Sequence, residues 1–152
     1  MEIRRDAVTD PRVITLLEEH LRDMRADSPP ESTHALDCSA LQAADVSFWT
    51  LWIQEQVAGC IALKILSPEH GEIKSMRVSA AFRRQGLARA LLTHLIAEAR
   101  RRGLRQLSLE TGTPPSFQPS HRLYEACGFS DCAPFADYRE DPYSRYMTLL
   151  LD

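Results

Sequence analysis

Apolar residues in the middle of the chain recur every three or four positions, which is the spacing of one face of a helix. The stripe consists of Ala88, Leu91, Leu92, Leu95, Ile96 and Ala99. Gly103 follows a basic last turn, and glycine commonly ends a helix at such a position. The pattern predicts a long amphipathic helix, with the strand-like run Glu72–Val78 shortly before it.

The N-terminal part is predicted as a short strand, a helix and a second, shorter helix. Glu2–Arg5 is a candidate edge strand. Asp10 is followed by proline, a pair typical of a helix start, and an apolar stripe continues to about Arg25. Asp37 is placed to cap a short helix at about Cys38–Ala43.

The next segments are rich in aromatic and β-branched residues. Ser47–Ile53 and Val57–Leu66 predict an antiparallel hairpin, to which Glu72–Val78 adds a further antiparallel strand. Because side chains alternate along a strand, Trp49 and Trp52 are expected on opposite faces of the sheet.

After the long helix the pattern returns to strands. Arg105–Thr111 predicts a strand that a right-handed crossover places parallel to Glu72–Val78. A helix at about Ser120–Cys127 and strands at about Cys132–Tyr138 and Tyr143–Leu151 follow. The elements predict a single α/β domain over the whole chain, with a twisted central sheet and helices on both faces.

The start of the long helix has the properties of an anion site. The first N–H groups of a helix are unpaired, and a phosphate satisfies them while it meets the positive end of the dipole. Gly86 permits close backbone approach, small Ala88 keeps the entrance open, and Arg83, Arg84 and Arg89 supply charge. A Walker loop and a dinucleotide fingerprint are excluded by their missing residues, and a solvated basic helix start is the alternative.

Two motifs resemble those of the GCN5-related N-acetyltransferase (GNAT) family. Arg83-x-x-Gly86-x-Ala88 resembles the acyl-CoA signature Q/R-x-x-G-x-G/A, and Leu123–Phe129 (LYEACGF) resembles the helix that carries "LYE" and closes on "GF". They occur in the family's order, and the likeness covers nearly the whole chain. The resemblance implies a single-domain GNAT-like fold with a mixed, mostly antiparallel sheet.

The resemblance also implies acetyl-CoA as the acyl donor, with no metal. In the family, the helix entrance binds the pyrophosphate, and the preceding strand pairs with the pantetheine arm. The positions that correspond here are Met76, Arg77 and Val78 for the arm, and Arg83, Arg84, Gln85, Gly86, Leu87, Ala88 and Arg89 for the pyrophosphate.

Three residues are the main catalytic candidates. With the LYE motif in place, Tyr124 is expected to be the general acid, because a phenol is protonated at pH 7 and can donate to a departing thiolate. Glu72 resembles the base position of histone-type members and Glu110 that of members acetylating N-terminal alanine. Glu72 is placed slightly ahead, and a strand-end carboxylate paired with arginine is the alternative for either. His70 and His121 are lesser candidates.

Two segments are expected near the acceptor. The proline-rich residues 27–34 are either a surface connection or, as the resemblance implies, a rigid flap with Glu31 and His34 as its polar tips. Glu140 and Asp141 either join the two strand carboxylates around an acidic acceptor cleft or form a solvated hairpin tip.

One position departs from the family pattern. Many members have an asparagine seven residues before the tyrosine, where it contacts the cofactor. Phe117 stands there in this chain, so Gln118 or Ser120 must replace that contact or it is missing.

Composition limits the class of protein. Hydrophobic residues make up 44% and charged residues 26%, ordinary values for a soluble globular protein. A net charge of −3 argues against nucleic-acid binding, and the apolar runs are too short to cross a bilayer. The four cysteines form no C-x-x-C pair, which favours reduced cysteines in a cytoplasmic protein without a zinc site.

The predicted function is therefore N-acetyl transfer from acetyl-CoA to an amino group of a small molecule or a protein. A non-catalytic acyl-CoA-binding sensor or interaction module is the alternative. A tyrosine and two carboxylates at the expected positions favour the enzyme. The acceptor, the acyl-chain preference and a possible homodimer are left open.

Overall fold

The computed structural model describes residues 1–30 and 37–151, and seven strands in these ranges form one sheet. In sheet order they are β1 (Glu2–Arg5), β2 (Val46–Ile53), β3 (Gln56–Ser67), β4 (His70–Val78), β5 (Gln106–Gly112), β7 (Ser144–Leu150) and β6 (Ser130–Asp131). All neighbours are antiparallel except β4 and β5, which are parallel. The predicted α/β class and mixed, mostly antiparallel sheet are confirmed.

The helices pack on both faces of this sheet. They are α1 (Pro11–Asp27), α2 (Cys38–Leu41), α3 (Leu87–Arg101) and α4 (Gln118–Ala126). One core lies under α1 and α2, and a larger core lies under α3 and α4. Trp52 belongs to the first and Trp49 to the second, so their predicted opposite orientation is confirmed. Within the described ranges, none of the helices is long and apolar enough to cross a membrane.

The two long helices begin and end where their sequences predict. Asp10 caps α1 by accepting from the Arg12 N–H at 2.8 Å. Before α3, Gly86 has a φ of 76°, and Gly103 after it has a φ of 83°, both left-handed values that glycine adopts without strain. Except for Ala88, the predicted apolar stripe of α3 is buried against the sheet.

The C-terminal third differs from its prediction. The predicted strand at Cys132–Tyr138 is wrong, because β6 precedes it and the chain that follows is irregular. Pro134 has no N–H to donate to a strand ladder, and Ala136 has a φ of 52° that breaks the extended path. Helix α4 begins before the predicted Ser120, since Pro119 fits the first turn of a helix.

Strands β4 and β5 separate partway along their length. Their parallel pairing extends from His70–Gln106 to Ile73–Leu109, while β4 continues to Val78 and β5 to Gly112. The ends of these two strands therefore line an opening in the middle of the sheet. Several of the predicted site residues line this opening.

Candidate active site

A cleft of about 890 Å³ runs through the opening between β4 and β5. His20 and Asp23 of α1 line it on one side of the sheet, and Leu87 of α3 and Tyr124 of α4 line it on the other. Two ligands approaching from opposite faces can therefore meet within the sheet.

The start of α3 forms one end of the cleft. The first helical bond runs from the Ala90 N–H to the Gly86 carbonyl at 3.1 Å, so the preceding N–H groups point out of the helix end. In residues 1–30 and 37–151, no side chain caps this end. Of the predicted pyrophosphate residues, all line the cleft except Gln85. Open N–H groups beside Arg83 and Arg89 suit a phosphate ligand.

The end of β4 forms the wall next to this entrance. Met76, Arg77 and Val78, the residues predicted to bind the pantetheine arm, line the cleft. On one side this part of β4 pairs with β3, through Cys60–Arg77 and Gly59–Val78. On its other side, the pairing with β5 has already ended at Ile73. An extended ligand can pair there with the backbone as an additional strand would.

Tyr124 enters the cleft from the side of α4. Its residue is 7% exposed, and its ring packs edge-on against Phe129, with 5.9 Å between ring centroids. Burial raises the pKa of the phenol above its usual value, and the negative charge of Glu110 raises it further. The hydroxyl is therefore protonated at neutral pH and available as a proton donor.

Glu110 lies on β5, just beyond the last pair with β4, and lines the cleft. Burial raises the pKa of its carboxyl to about 7, although a hydrogen bond from the Ser144 hydroxyl (2.8 Å) and the charge of Lys74 act in the opposite direction. A carboxyl that titrates near neutral pH is well matched to general base catalysis.

Glu72 also lines the cleft, but its carboxylate is already paired with two other side chains. It accepts a hydrogen bond from the Tyr138 hydroxyl at 2.5 Å and forms an ion pair with Lys74 at 3.2 Å. The Lys74 ammonium also donates to the Tyr138 oxygen at 2.8 Å. Glu72 is 3% exposed, so the three groups form a buried, mutually paired cluster. The predicted alternative of a paired strand carboxylate thus applies to Glu72, with lysine in place of arginine.

Lys74 and Tyr138 are not among the residues for which the sequence predicted a role. Lys74 stands two positions after Glu72, on the same face of one strand, and that spacing was the available signal. Tyr138 carried no such signal, because the irregular segment that brings it to β4 was predicted as a strand.

The residues at the start of α4 show which side chain is placed to replace the missing asparagine contact. Phe117 packs its ring on the backbone of Gly112, where a Cβ atom would lie 2.4 Å from the ring. Ser120 lines the cleft, whereas Gln118 is not among the lining residues described. Ser120 is therefore the better placed of the two proposed replacements.

Neither histidine candidate lines the cleft in the described part of the chain. The His70 Nε2 atom is 2.7 Å from the Ser108 hydroxyl, and the His121 Nε2 atom is 2.8 Å from the Gly112 carbonyl. Both rings are thus engaged in local hydrogen bonds.

None of the predicted acceptor residues is among the described residues that line the cleft. Glu31 and His34 fall outside the residues that the structure describes. Glu140 and Asp141 are not among the described lining residues, although the charge of Asp141 helps to raise the pKa of Glu110. Since Lys74 neutralises Glu72, the acceptor side is less acidic than the sequence predicted.

A sheet that opens between two parallel strands, beside a helix start suited to a phosphate, agrees with the resemblance to the GNAT family. The model of the Acetyltransferase (GNAT) family matches residues 13–129. The uncharacterized N-acetyltransferase YsnE of Bacillus subtilis is 51% identical, over 97% of this chain and 98% of its own. The uncharacterized N-acetyltransferase YedL of Escherichia coli is 48% identical, over 98% and 94%.

A solved structure agrees with these sequence relatives. The crystal structure of a candidate acyl-CoA N-acyltransferase from Klebsiella pneumoniae has a TM-score of 0.79 and 28% identity, and the match covers 99% of this chain and 97% of the other. The chain belongs to the GNAT family of acetyltransferases. Its activity is N-acetyl transfer from acetyl-CoA, and the comparisons give no support to the alternative of a non-catalytic module.

Proposed function

We propose that the acceptor amine attacks acetyl-CoA directly, with Glu110 as general base and Tyr124 as general acid. Glu110 takes a proton from the ammonium, and the neutral amine attacks the carbonyl carbon of the thioester. As the C–S bond breaks, Tyr124 donates its proton to the sulfur. The observation that carries this proposal is that both groups line one cleft, where β4 and β5 separate.

Glu110 is preferred to Glu72 because only Glu110 is poised to exchange a proton. A primary ammonium has a pKa of about 10, so few acceptor molecules are neutral at pH 7 and a base assists. Glu110 has a pKa of about 7 and one hydrogen bond from Ser144. Proton uptake by Glu72 would instead break its pairing with Lys74 and Tyr138.

The cofactor is proposed to lie along β4 with its pyrophosphate at the start of α3. The side of β4 beyond its last pair with β5 is suited to the pantetheine arm and to the thioester carbonyl, on which negative charge develops during attack. Arg83, Arg84 and Arg89 are exposed at the helix start and supply the charge that a pyrophosphate requires.

A substitution at the helix start tests the cofactor site. Gly86→Asp is expected to lower acetyl-CoA affinity at least tenfold, or about 1.4 kcal/mol, because it places a carboxylate where phosphate oxygens bind. The fold is expected to survive, since an added Cβ meets no atom within 4 Å and aspartate tolerates the left-handed φ of 76° better than most residues. Titration calorimetry with acetyl-CoA measures the effect.

Gly86→Asn is the matched control for this substitution, because it has the same shape and backbone tolerance without the charge. We expect it to retain most of the affinity. Equal affinity of the folded aspartate variant and the wild type would contradict the anion site.

The linker before β7 provides a second test, on the acceptor side. The double variant Glu140→Gln/Asp141→Asn is expected to raise the acceptor KM at low salt, because it removes negative charge that attracts an ammonium. Acetyl-CoA binding should change little. High salt should shrink the difference, since the Debye length falls to about 3 Å at 1 M. An acceptor KM that responds to neither change assigns this linker to structure alone.

The proposed reaction is tested most directly with an acceptor panel. The purified chain is mixed with acetyl-CoA and with amino acids, small amines and peptides that have free N-termini. Release of CoA thiol is followed by absorbance, and the acetylated product by mass spectrometry. Thiol release without any acetylated amine would indicate hydrolysis and contradict the proposal.

The free cysteines suit the reducing cytoplasm, which we propose as the location.

A further inference from the structure

Two polar atoms on β4 are buried in the cleft wall without a partner. They are the Ser75 hydroxyl oxygen and Nε of Arg77, for which the described residues provide no hydrogen-bond partner. Ser75 is 8% exposed and the Arg77 side chain 9%. Both residues line the cleft. Buried polar groups are nearly always hydrogen-bonded, so two unpaired ones in a cleft wall indicate a place for a polar ligand.

The backbone around Ser75 is irregular, in a way that separates it from the regular strand. Pairing of β3 with β4 shifts between Cys60–Arg77 and Ala62–Lys74, which leaves two β4 residues opposite one on β3. Ser75 has a φ of 55°, and its carbonyl accepts from the Cys60 thiol at 3.2 Å. Bulges of this kind redirect side chains and are common next to active sites.

Within the described part of the chain, Asp23 is the ion-pair partner of the Arg77 side chain. Its Nη2 atom forms an ion pair with Asp23 of α1 at 2.7 Å. The Asp23 side chain is 50% exposed, so water screens its charge, whereas the guanidinium is buried. His20 lies near the same cation, and burial together with the charge of Arg77 lowers the pKa of His20 to about 4. His20 is thus neutral at pH 7, and Arg77 keeps the capacity to bind an anion.

Strand register places Arg77 on the acceptor side of the sheet. Arg77 stands opposite Cys60, which belongs to the core under α1. The α3 helix start, where the pyrophosphate is proposed to bind, is on the opposite face. In the parallel register Glu72 faces Ser108, so Glu110, two positions farther along β5, shares the face of Glu72. An acceptor on the α1 side therefore has a cation on β4 and a carboxyl on β5.

We propose that the acceptor is an amino carboxylic acid whose carboxylate is bound by Arg77 while its amine lies at Glu110. This inference rests on the proposed function, because it assigns the substrate class of the same site. A guanidinium with a free Nε–H matches the planar geometry of a carboxylate. The carboxylate at one end of such an acceptor matches the cation of Arg77 on β4, and the ammonium at the other end matches the carboxyl of Glu110 on β5.

The test compares each acceptor with its own carboxamide, which keeps the amine and removes the negative charge. Amino acids with the amine at increasing distance from the carboxylate form the series. For the wild type, kcat/KM is expected to be at least tenfold higher for the best acid than for its amide, the range typical of a hydrogen bond to a charged group.

Two variants locate this preference. Arg77→Met should bring the ratio close to one. Ser75→Gly is the control on the other face of β4, because Ser75 lies at the bulge opposite Ile61 of the core under α3. Glycine adopts a φ of 55° without strain, so the fold should survive and the ratio should stay unchanged. Asp23→Asn is a control with the opposite sign, because it removes the negative charge that competes for Arg77 and should lower the KM for the acid.

The outcomes separate this inference from the proposed function. If amines and amides are acetylated as well as acids, or if Arg77→Met lowers both rates equally, the carboxylate site is overturned and the reaction stands. A preference for peptide N-termini over every free amino acid would also overturn it. If nothing in the panel is acetylated, the proposed function itself fails.

Discussion

Replacing Glu110 with glutamine is expected to lower kcat/KM about 100-fold or more, the lower end of the usual contribution of a general base. Glutamine keeps the size of the side chain and can still accept from the Ser144 hydroxyl, now 2.8 Å from the Glu110 carboxylate. It cannot take a proton from an ammonium. The measurement is the rate of CoA thiol release at saturating acetyl-CoA, with an acceptor identified from the panel.

The same residue sets the expected pH dependence. Because the pKa of Glu110 is about 7, the carboxylate that acts as base forms as the pH rises through 7. The wild-type kcat/KM should therefore rise between about pH 6 and pH 8. Glu110→Gln should lose this rise while keeping any dependence that belongs to the acceptor amine. A rise that persists unchanged in the variant would remove Glu110 from the mechanism.

Stability should change in the opposite direction to activity. The folded state holds the Glu110 proton up to about pH 7, against a reference pKa of 4.5, so it binds more protons than the unfolded chain between these values. The free energy of unfolding therefore falls as the pH rises through this window. At pH 8 the glutamine variant should be more stable than the wild type by roughly 1–3 kcal/mol, with little difference at pH 4.

Glu72→Gln is the natural comparison, because Glu72 was the slightly favoured base on sequence. It removes the partner of a buried ammonium and is expected to destabilise the protein by about 3 kcal/mol or more. A folded Glu72→Gln variant that abolishes the pH dependence, together with a fully active Glu110→Gln variant, would reverse the assignment.

These two glutamates mark the limit of what the sequence predicts. Helix α3 and its glycine could be predicted because their signals are local: an apolar period, a basic last turn and a motif within a few residues. The choice between Glu72 and Glu110 depends on distant partners. Tyr138, which donates a hydrogen bond to Glu72, is 66 positions away from it, and Ser144, which donates one to Glu110, is 34 positions away.

The acceptor side was less predictable for the same reason. The segment Cys132–Tyr138 was predicted as a strand. Its path depends instead on the packing of Phe135 against Tyr138 and Tyr146, and these tertiary contacts cannot be predicted from the local sequence. The bulge at Ser75 likewise has no sequence signal, because serine is not a typical left-handed residue. The unpaired hydroxyl and guanidinium nitrogen became visible only once the neighbours of β4 were in place.

Replacing Tyr124 with phenylalanine is expected to reduce kcat about 100-fold while acetyl-CoA affinity stays within a factor of about two. The departing thiolate belongs to a thiol with a pKa of about 8.5, and the phenol protonates it as the C–S bond breaks. Phenylalanine keeps the size of the ring and its contact with Phe129, so the fold should not change.

Tyr143, a residue that is 43% exposed, supplies the control. Tyr143→Phe also removes a hydroxyl but should leave the rate unaltered. An acetyl thioester of a more acidic thiol should narrow the gap between Tyr124→Phe and the wild type, because a better leaving group needs less protonation. A phenylalanine variant that releases CoA thiol as quickly as the wild type would remove Tyr124 from the reaction. A gap that stays the same with the better leaving group would instead assign the tyrosine to positioning, because the proton would then not be transferred as the C–S bond breaks.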